Sequence, residues 1–341
     1  MFRFAIAPVN GHHQIPVNCG RDDHALPCGR AAGETGWRAT GLIDRHDLVA
    51  ALDRALGKRV TVISAPAGSG KTSLLRAWID TQGAGQPGKE RLIAFMSVRP
   101  GQQDARQFWV ALLAAVRAAV GAAESPPAAP GFNGQAMADG VLSELAAAGT
   151  PIVLIIDDLH ELGSSEAVGQ LTELLTNLPP NARAVVATRY DLPLRLHRLR
   201  LAGELSEIRA EQLRFNEGDT RELLAVAGIT LPDPAVSLLH ERTEGWAAGL
   251  RLAVLSLAGD PQPERFVAEF SGSDRTVSEY LMAEMLDRQP PEVRRVLLRT
   301  SPLDRVNGEL GDLLAGSAGS ERILLDLEDA NAFVVSLDPG R

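Results

Sequence analysis

The chain has 341 residues, with 34 basic and 43 acidic side chains and a formal net charge of −9 at pH 7. This acidic balance argues against a surface made mainly for nucleic acid, because phosphate contacts require a basic face. No apolar run approaches the roughly 18 residues that cross a bilayer, and the apolar start Met1–Pro8 is too short for a secretory signal. With two cysteines and no disulfide framework, the composition favours a cytoplasmic protein without membrane contact.

Residues 1–40 are predicted to be an irregular N-terminal extension. They contain both cysteines and three histidines, at spacings that match no standard zinc site: His12, His13, Cys19, His24 and Cys28. A zinc site is one interpretation of this set, but the surrounding glycine, proline and asparagine residues favour an irregular tail. We expect the folded part to begin near Gly41.

A phosphate-binding loop is predicted after the first strand. A helical pattern over residues 42–52 leads to the strand Val60–Ser64, and the next residues are Ala65-Pro66-Ala67-Gly68-Ser69-Gly70-Lys71-Thr72. This is the glycine-rich pattern that holds phosphates with backbone N–H groups at a helix N-terminus, with Ala65 in place of the first glycine. We expect seven residues to contact the nucleotide: Ala67, Gly68, Ser69, Gly70, Lys71, Thr72 and Ser73. Lys71 is expected to reach the β and γ phosphates and Thr72 to bind Mg²⁺.

The lysine content supports this interpretation of Lys71. Only three of the 34 basic residues are lysine, the others being Lys58 and Lys89. Nearly all other basic positions therefore carry arginine, whereas the one position that needs a compact ammonium group on a flexible stem carries lysine. The alternative is a glycine-rich turn that binds no ligand, which the strand before it and the helix after it make less favoured.

The next segment is predicted to be a strand and two helices. The strand covers Arg91–Ser97, and the helix after it carries Phe108 and Trp109, which we interpret as core residues. A loop rich in proline and glycine over residues 122–134 precedes a helix over residues 135–148.

A second functional strand ends in two carboxylates. The continuous apolar run Ile152–Ile156 is typical of a buried parallel strand, and Asp157 and Asp158 follow it. This pattern predicts that Asp157 holds Mg²⁺, directly or through water, and that Asp158 orients or deprotonates the attacking water. The alternative is a buried strand followed by an acidic turn.

Arg189 is the last residue of another predicted strand, Ala184–Arg189, which follows a helix over residues 165–178. Its guanidinium group is expected to contact the terminal phosphate and so distinguish ATP from ADP. The alternative role for Arg189 is a surface salt bridge. Three arginines further on are a candidate basic patch, for which a solvated helix face is the favoured interpretation: Arg195, Arg198 and Arg200.

Beyond a last predicted strand at Leu205–Arg209 the pattern is helical. Helices are predicted to start at Asn216 and Asp233, and a third, apolar one runs to Leu257. From residue 266 to residue 336 helices alternate with short turns, and the end of this stretch is strand-like.

In this order, the motifs resemble the STAND class of P-loop ATPases, in particular the N-terminal ATPase region of large ATP-binding, LuxR-type transcriptional regulators similar to the bacterial maltose regulator. The matching segments are Ser64–Thr72, Asp157–His160, Thr188–Arg189, Leu213–Phe215, Thr243–Leu250 and Asp287–Pro291. The resemblance implies an α/β fold in which a P-loop NTPase parallel sheet of the AAA or STAND type precedes a small helical domain and a winged-helix-like domain. We expect these at residues 41–210, 211–262 and 263–341, with the chain stopping before any sensor repeats or DNA-binding helix-turn-helix.

The resemblance also implies a regulatory switch that binds ATP or ADP with Mg²⁺. The ADP form would be closed, and ATP together with a small-molecule or protein inducer would open it and promote self-association. The catalytic residues would be Lys71, Asp158 and Arg189, and the block around Trp246 would sense the nucleotide. Ala247 stands where the corresponding motif of such proteins usually carries proline. Asp158 stands where many carry the longer glutamate, and for this reason we expect a weak ATPase that turns over slowly. Direct nucleic-acid binding is not expected.

Three alternatives remain open on the sequence. One is an AAA-like motor or loader with sustained hydrolysis, which works as a ring with an arginine from its neighbour. Another is a kinase or nucleotide-metabolising enzyme that uses the same loop. The last is a remnant that binds ATP without consequence.

Overall fold

The computed structural model describes residues 2–4, 43, 45–82, 91–99, 104–122, 132–258, 260–270, 275–287, 289–303, 305–329 and 334–336. The candidate zinc ligands lie outside these residues: His12, His13, Cys19, His24 and Cys28. Within the described ranges, no group of three or more histidine, cysteine or acidic side chains is arranged to hold a metal ion. No described helix is both long enough and apolar enough to span a bilayer.

Within the described residues, eight strands form two sheets. The strands are β1 (Phe2–Phe4), β2 (Val60–Ser64), β3 (Leu92–Ser97), β4 (Ile152–Asp157), β5 (Ala182–Thr188), β6 (Leu205–Arg209), β7 (Arg305–Val306) and β8 (Val334–Ser336). The larger sheet has the order β3-β4-β5-β2-β6, and all its neighbours are parallel. The predicted parallel sheet is therefore confirmed, and β2 and β4, which precede the two predicted functional motifs, are separated by β5.

The part of the chain that the structure describes also contains fifteen α-helices. They are α1 (His46–Ala55), α2 (Lys71–Gln82), α3 (Ala105–Val120), α4 (Gly134–Ala147), α5 (Ser165–Thr176), α6 (His197–Leu201), α7 (Ala210–Leu213), α8 (Glu217–Val226), α9 (Asp233–Thr243), α10 (Ala247–Leu257), α11 (Pro263–Glu269), α12 (Arg275–Leu281), α13 (Pro291–Thr300), α14 (Gly308–Ala315) and α15 (Ser320–Asp329).

Helices cover both faces of the parallel sheet, which explains why β4 is apolar along its length. Every residue of β4 is buried. Because successive side chains of a strand point to opposite faces, Leu154 packs in a core with α3, α4 and α5, whereas Ile155 packs in a second core with α1 and α2. Phe108 and Trp109 are fully buried in the first core with their rings edge to face, so the interpretation of both as core residues is confirmed.

Helices α7 to α12 form what we call the helical segment (residues 210–281). Its own apolar core contains Leu224, Leu239 and Leu250, together with Phe270 and Val277. These last two lie beyond the predicted domain boundary at residue 262. Their packing favours a boundary close to residue 282, which we propose in its place.

The C-terminal segment (residues 282–336) begins with a π-helical turn, Met282–Leu286, that continues directly from α12. A small core contains Leu297, Val306 and Leu324. The second sheet has the order β7-β1-β8, and β1 pairs antiparallel with both neighbours. The prediction of an irregular structure for residues 1–40 is thus wrong for residues 2–4, because this short apolar start supplies the middle strand of the C-terminal sheet.

Candidate phosphate-binding site

The predicted phosphate loop connects β2 to the first turn of α2. Gly68 and Gly70 have φ angles of 71° and 88°, the left-handed region that glycine adopts without a Cβ penalty. Within the loop the Ser69 hydroxyl donates to the carbonyl oxygen of Pro66 at 2.9 Å, and the helix begins with Leu74 N–H donating to Gly70 at 2.9 Å. Ser73 lies exposed on the first turn of α2. The backbone thus adopts the tight turn that the glycine spacing predicted.

Lys71 is almost fully buried at the base of the loop, with 7% of its surface exposed. Its Nζ donates to the carbonyl oxygens of Ala65 at 2.5 Å and Pro66 at 2.9 Å. Burial lowers the pKa of the Lys71 ammonium group to about 8, with a further lowering by the positive charge of Arg189 and an opposing effect of Asp157 and Asp158. The loop therefore holds at its centre a cationic group with a pKa of about 8, well below the ordinary value for lysine.

A hydrogen bond joins the loop helix to β4. The Thr72 hydroxyl donates to Asp157 Oδ2 at 2.7 Å, and Asp157 Oδ1 accepts the backbone N–H of Asp158 at 2.9 Å. Asp157 is fully buried, and burial raises the pKa of its carboxyl group, while the hydrogen bond from Thr72 opposes that shift. A hydroxyl and a carboxylate oxygen side by side are the donor types that Mg²⁺ prefers, so these two residues fit the ion that phosphate-loop proteins use.

Asp158 begins the turn after β4 and has a left-handed backbone, with φ of 55°. Such a conformation is uncommon for a residue other than glycine and is often retained at functional sites. One of its carboxylate oxygens, Oδ2, accepts a hydrogen bond from the Ser97 hydroxyl at 3.3 Å. Ser97 was not predicted as a site residue, although its place at the end of the strand next to β4 was the available signal.

Arg189 comes directly after β5, between the ends of β2 and β4. Its charge acts on Lys71, so the two cations lie at the same edge of the sheet. The loop that carries Arg189 is held at Asp191, which accepts hydrogen bonds from Ser64 at 2.7 Å and from Arg209 at 2.5 Å. The sequence did not single out this anchor.

The three downstream arginines do not belong to this site. Arg195, Arg198 and Arg200 are all exposed on or near α6. Arg200 pairs with Glu207 at 2.8 Å. These contacts agree with a solvated face.

The helical segment lies directly against the phosphate loop. Trp246 Nε1 donates to the carbonyl oxygen of Ala67 at 3.1 Å, and the backbone N–H of Ala248 donates to that of Gly68 at 3.0 Å. The Tyr280 ring lies 5.7 Å from that of Trp246, and a Cβ atom on Gly68 would be 2.9 Å from the Tyr280 hydroxyl. Sequence reasoning identified the block around Trp246 but not Tyr280, which no local pattern marks.

Arg45, just before α1, connects the sheet domain to the start of the helical segment. Its guanidinium group donates to the carbonyl oxygens of Leu213 at 2.6 Å and Arg214 at 2.9 Å, and it lies 4.8 Å from the centre of the Phe215 ring. Phe215 N–H in turn donates to Gly245, the residue before Trp246, at 2.9 Å. These contacts hold the Trp246 block in place above the loop.

Three features together define a P-loop NTPase. The first two are a glycine-rich loop between a strand and a helix and a buried lysine in that loop. The third is a second parallel strand whose terminal carboxylate accepts a hydrogen bond from the threonine after the lysine. The model of the family described as Novel STAND NTPase 1 matches residues 42–240, more than half of the chain. The chain belongs to this STAND NTPase family. The MalT winged helix domain model matches residues 282–341, which begins at the π-helical turn.

Two kinds of curated protein are similar to most of this chain. The serine/threonine-protein kinase PknK of Mycobacterium tuberculosis is 29% identical over 86% of the chain, and the HTH-type transcriptional regulator MalT of Yersinia enterocolitica is 26% identical over 88%. The chain spans only 27% and 33% of the lengths of these two relatives. A Walker-type ATPase of Pyrococcus abyssi, 15% identical, superimposes with a TM-score of 0.58 over 86% of this chain and 91% of its own, which shows a shared fold.

Proposed function

We propose that this chain is an ATP-binding regulatory switch that hydrolyses ATP slowly. The observation that carries the proposal is the hydrogen bond between Thr72 and Asp157, because it joins the phosphate loop to the carboxylate end of β4 in the arrangement that nucleotide phosphates and Mg²⁺ require. ATP and ADP would bind through residues 67–73, and Thr72 and Asp157 would hold the ion. Mg²⁺ supplies neutralising charge on the phosphate oxygens when it is bound.

Each residue of the site has a distinct role in this proposal. Lys71, now donating to two loop carbonyls, would turn its ammonium group to the β and γ phosphates. Asp158 would accept the proton of the attacking water. Its carboxylate is one methylene shorter than glutamate and is held by Ser97, and both features support slow turnover.

The switch requires that ATP and ADP prefer different conformations, since a ligand shifts an equilibrium only by its difference in affinity. Arg189 would detect the γ phosphate, and its loop is tied to Arg209, which directly precedes the helical segment. The Trp246 block would transmit the difference because it contacts the loop.

The regulatory setting is supported by the transcriptional regulators among the relatives and by the matching winged-helix model. We propose that the output belongs to a LuxR-type regulator in the cytoplasm and that a small-molecule or protein inducer acts together with ATP. Nucleotide-dependent self-association would be the immediate consequence of opening.

Light scattering of the purified chain in Mg-ADP and then in Mg-ATP, with phosphate release followed in the same sample, tests the switch. We expect a change of mass or radius between the nucleotides and slow release. Fast, sustained release from an unchanged assembly would instead support a motor. A chain that responds to neither nucleotide would contradict both functions.

Two substitutions separate binding from hydrolysis. Lys71→Ala is expected to abolish nucleotide binding, whereas Asp158→Asn should retain binding and reduce phosphate release to the uncatalysed level. Asparagine suits this test because it tolerates the left-handed backbone of residue 158. Full ATP affinity in Lys71→Ala would show that the site is assigned wrongly.

A further inference from the structure

Trp246 and Ala248 donate hydrogen bonds to two successive carbonyl groups of the phosphate loop, those of Ala67 and Gly68. In a planar trans peptide the carbonyl and the N–H of the next residue point in opposite directions. The bond to Ala67 therefore turns Gly68 N–H away from the helical segment, and the bond to Gly68 does the same for Ser69 N–H. Among the described residues, Gly68 N–H donates to no backbone carbonyl.

We infer that Trp246 and the backbone of Ala248 are positioning residues, which fix the Gly68 and Ser69 amides in the direction in which they meet a nucleotide phosphate. This inference rests on the proposed nucleotide binding and deepens it. A loop whose amides are already oriented loses less conformational freedom when the anion binds, so the helical segment raises affinity without touching the ligand. Hydrogen-bond donors of the helical segment thus hold the phosphate loop in the conformation that binds the anion.

The fold contains features that keep the Trp246 indole in this position. Gly245 has φ of 70°, and a Cβ atom there would lie 2.3 Å from the Phe215 carbonyl oxygen, so only glycine permits the close approach of the two chains. A Cβ atom at Gly249 would lie 2.7 Å from Cε3 of the Trp246 ring. Gly249 is inside α10, where alanine is intrinsically favoured, and the indole lies over the position that the missing side chain leaves open.

The first test is Trp246→Phe, which keeps an aromatic ring and removes the indole donor. We expect the affinity for Mg-ADP to fall about three- to tenfold, the effect of one net hydrogen bond, and the release of a fluorescent ADP analogue to become faster. Titration calorimetry and stopped-flow displacement measure the two quantities. An unchanged or tighter affinity overturns the inference.

Trp109→Phe is the matched control. Trp109 also donates through its indole N–H, to Gln170 at 2.8 Å, but it lies in the core between α3 and α5. This variant should lose thermal stability and keep the wild-type affinity for ADP. If Trp109→Phe weakens ADP binding as much as Trp246→Phe does, the effect is one of general stability and the inference fails.

Gly249→Ala gives an independent variant, because it leaves Trp246 in the chain and displaces its ring. We expect it to weaken ADP binding like Trp246→Phe. Wild-type affinity in either variant overturns the positioning role while leaving nucleotide binding intact. Failure of the wild-type chain to bind ADP at all refutes the proposed function and this inference with it.

Discussion

At the scale of single residues, we expect the charge of Lys71 to make the proposed nucleotide binding sensitive to pH. Its pKa is about 8 in the nucleotide-free protein, and bound phosphates would favour the protonated form. The ammonium group is therefore mostly charged at pH 7 and mostly neutral at pH 9. We expect the affinity for ADP to fall roughly tenfold between these values, measured by titration calorimetry.

Lys71→Arg is the control for this effect, because a guanidinium group stays charged throughout the range. The affinity of this variant for ADP should not change between pH 7 and 9, and a wild-type affinity that is equally independent of pH would contradict the shifted pKa.

The contribution of Lys71 to stability changes with pH in the opposite direction. Since the folded pKa lies below the ordinary 10.5, the unfolded state binds more protons between pH 8 and 10.5, and the contribution of Lys71 to the free energy of unfolding rises over that interval.

Arg189 is the residue that should distinguish the two nucleotides. Arg189→Gln is expected to lower the affinity for ATP about tenfold or more, the loss of a charge-assisted hydrogen bond, and the affinity for ADP much less. Competition between ATP and ADP for binding to the same protein sample measures the ratio of the two affinities. Arg183→Gln is the control, since Arg183 lies on the same strand but donates to Pro180 and Ala182 at its opposite end. Equal losses for ATP and ADP in Arg189→Gln would contradict a γ-phosphate sensor.

At the scale of elements, the two glycines of the phosphate loop, Gly68 and Gly70, have neighbouring residues at different distances. Alanine at either position would adopt an unfavourable left-handed backbone, at a cost of about 1–2 kcal/mol. At Gly68 the new Cβ would also lie 2.5 Å from the Cβ of Ala248, whereas at Gly70 the nearest contact is 3.9 Å, to Ala247. We expect Gly68→Ala, but not Gly70→Ala, to separate the start of α10 from the loop.

Hydrogen exchange of the Ala248 amide checks this prediction in the absence of nucleotide. Exchange should become faster in Gly68→Ala and stay near the wild-type rate in Gly70→Ala, because only the first substitution disrupts the bond from Ala248 to Gly68. Identical rates in the two variants would mean that the loop and the helical segment are not coupled at this contact.

The elements themselves were largely predictable from the sequence, whereas the contacts between distant elements were not. Strands β2 and β6 coincide with their predicted bounds. The buried parallel strand β2 appears as a short, mostly apolar run between turn residues, whereas β6, at the edge of the sheet, is mostly half-buried and mixes apolar and charged residues. Because Thr72 and Asp157 were both predicted to bind Mg²⁺, the sequence implied that they lie close together, and their hydrogen bond agrees with this. The bond from Trp246 to Ala67 joins residues 179 apart, and no local pattern contains that information.

At the scale of the whole molecule, the net charge of −9 predicts weak contact with DNA. The match to a winged-helix model makes this worth measuring. We expect that the protein at micromolar concentration and about 0.15 M salt does not bind a random DNA duplex, because non-specific DNA binding depends on clustered positive charge. Fluorescence anisotropy of a labelled duplex measures this binding. Binding that weakens steeply with added salt would show that a local basic face outweighs the overall charge.

The second sheet has a consequence for how the chain is made. Its middle strand, β1, is translated some three hundred residues before its two neighbours in the sheet, β7 and β8. At typical synthesis rates, β1 waits on the order of tens of seconds for them. The C-terminal sheet can therefore close only after the domain with the parallel sheet, which lies between β1 and β7 in the chain, has been synthesised.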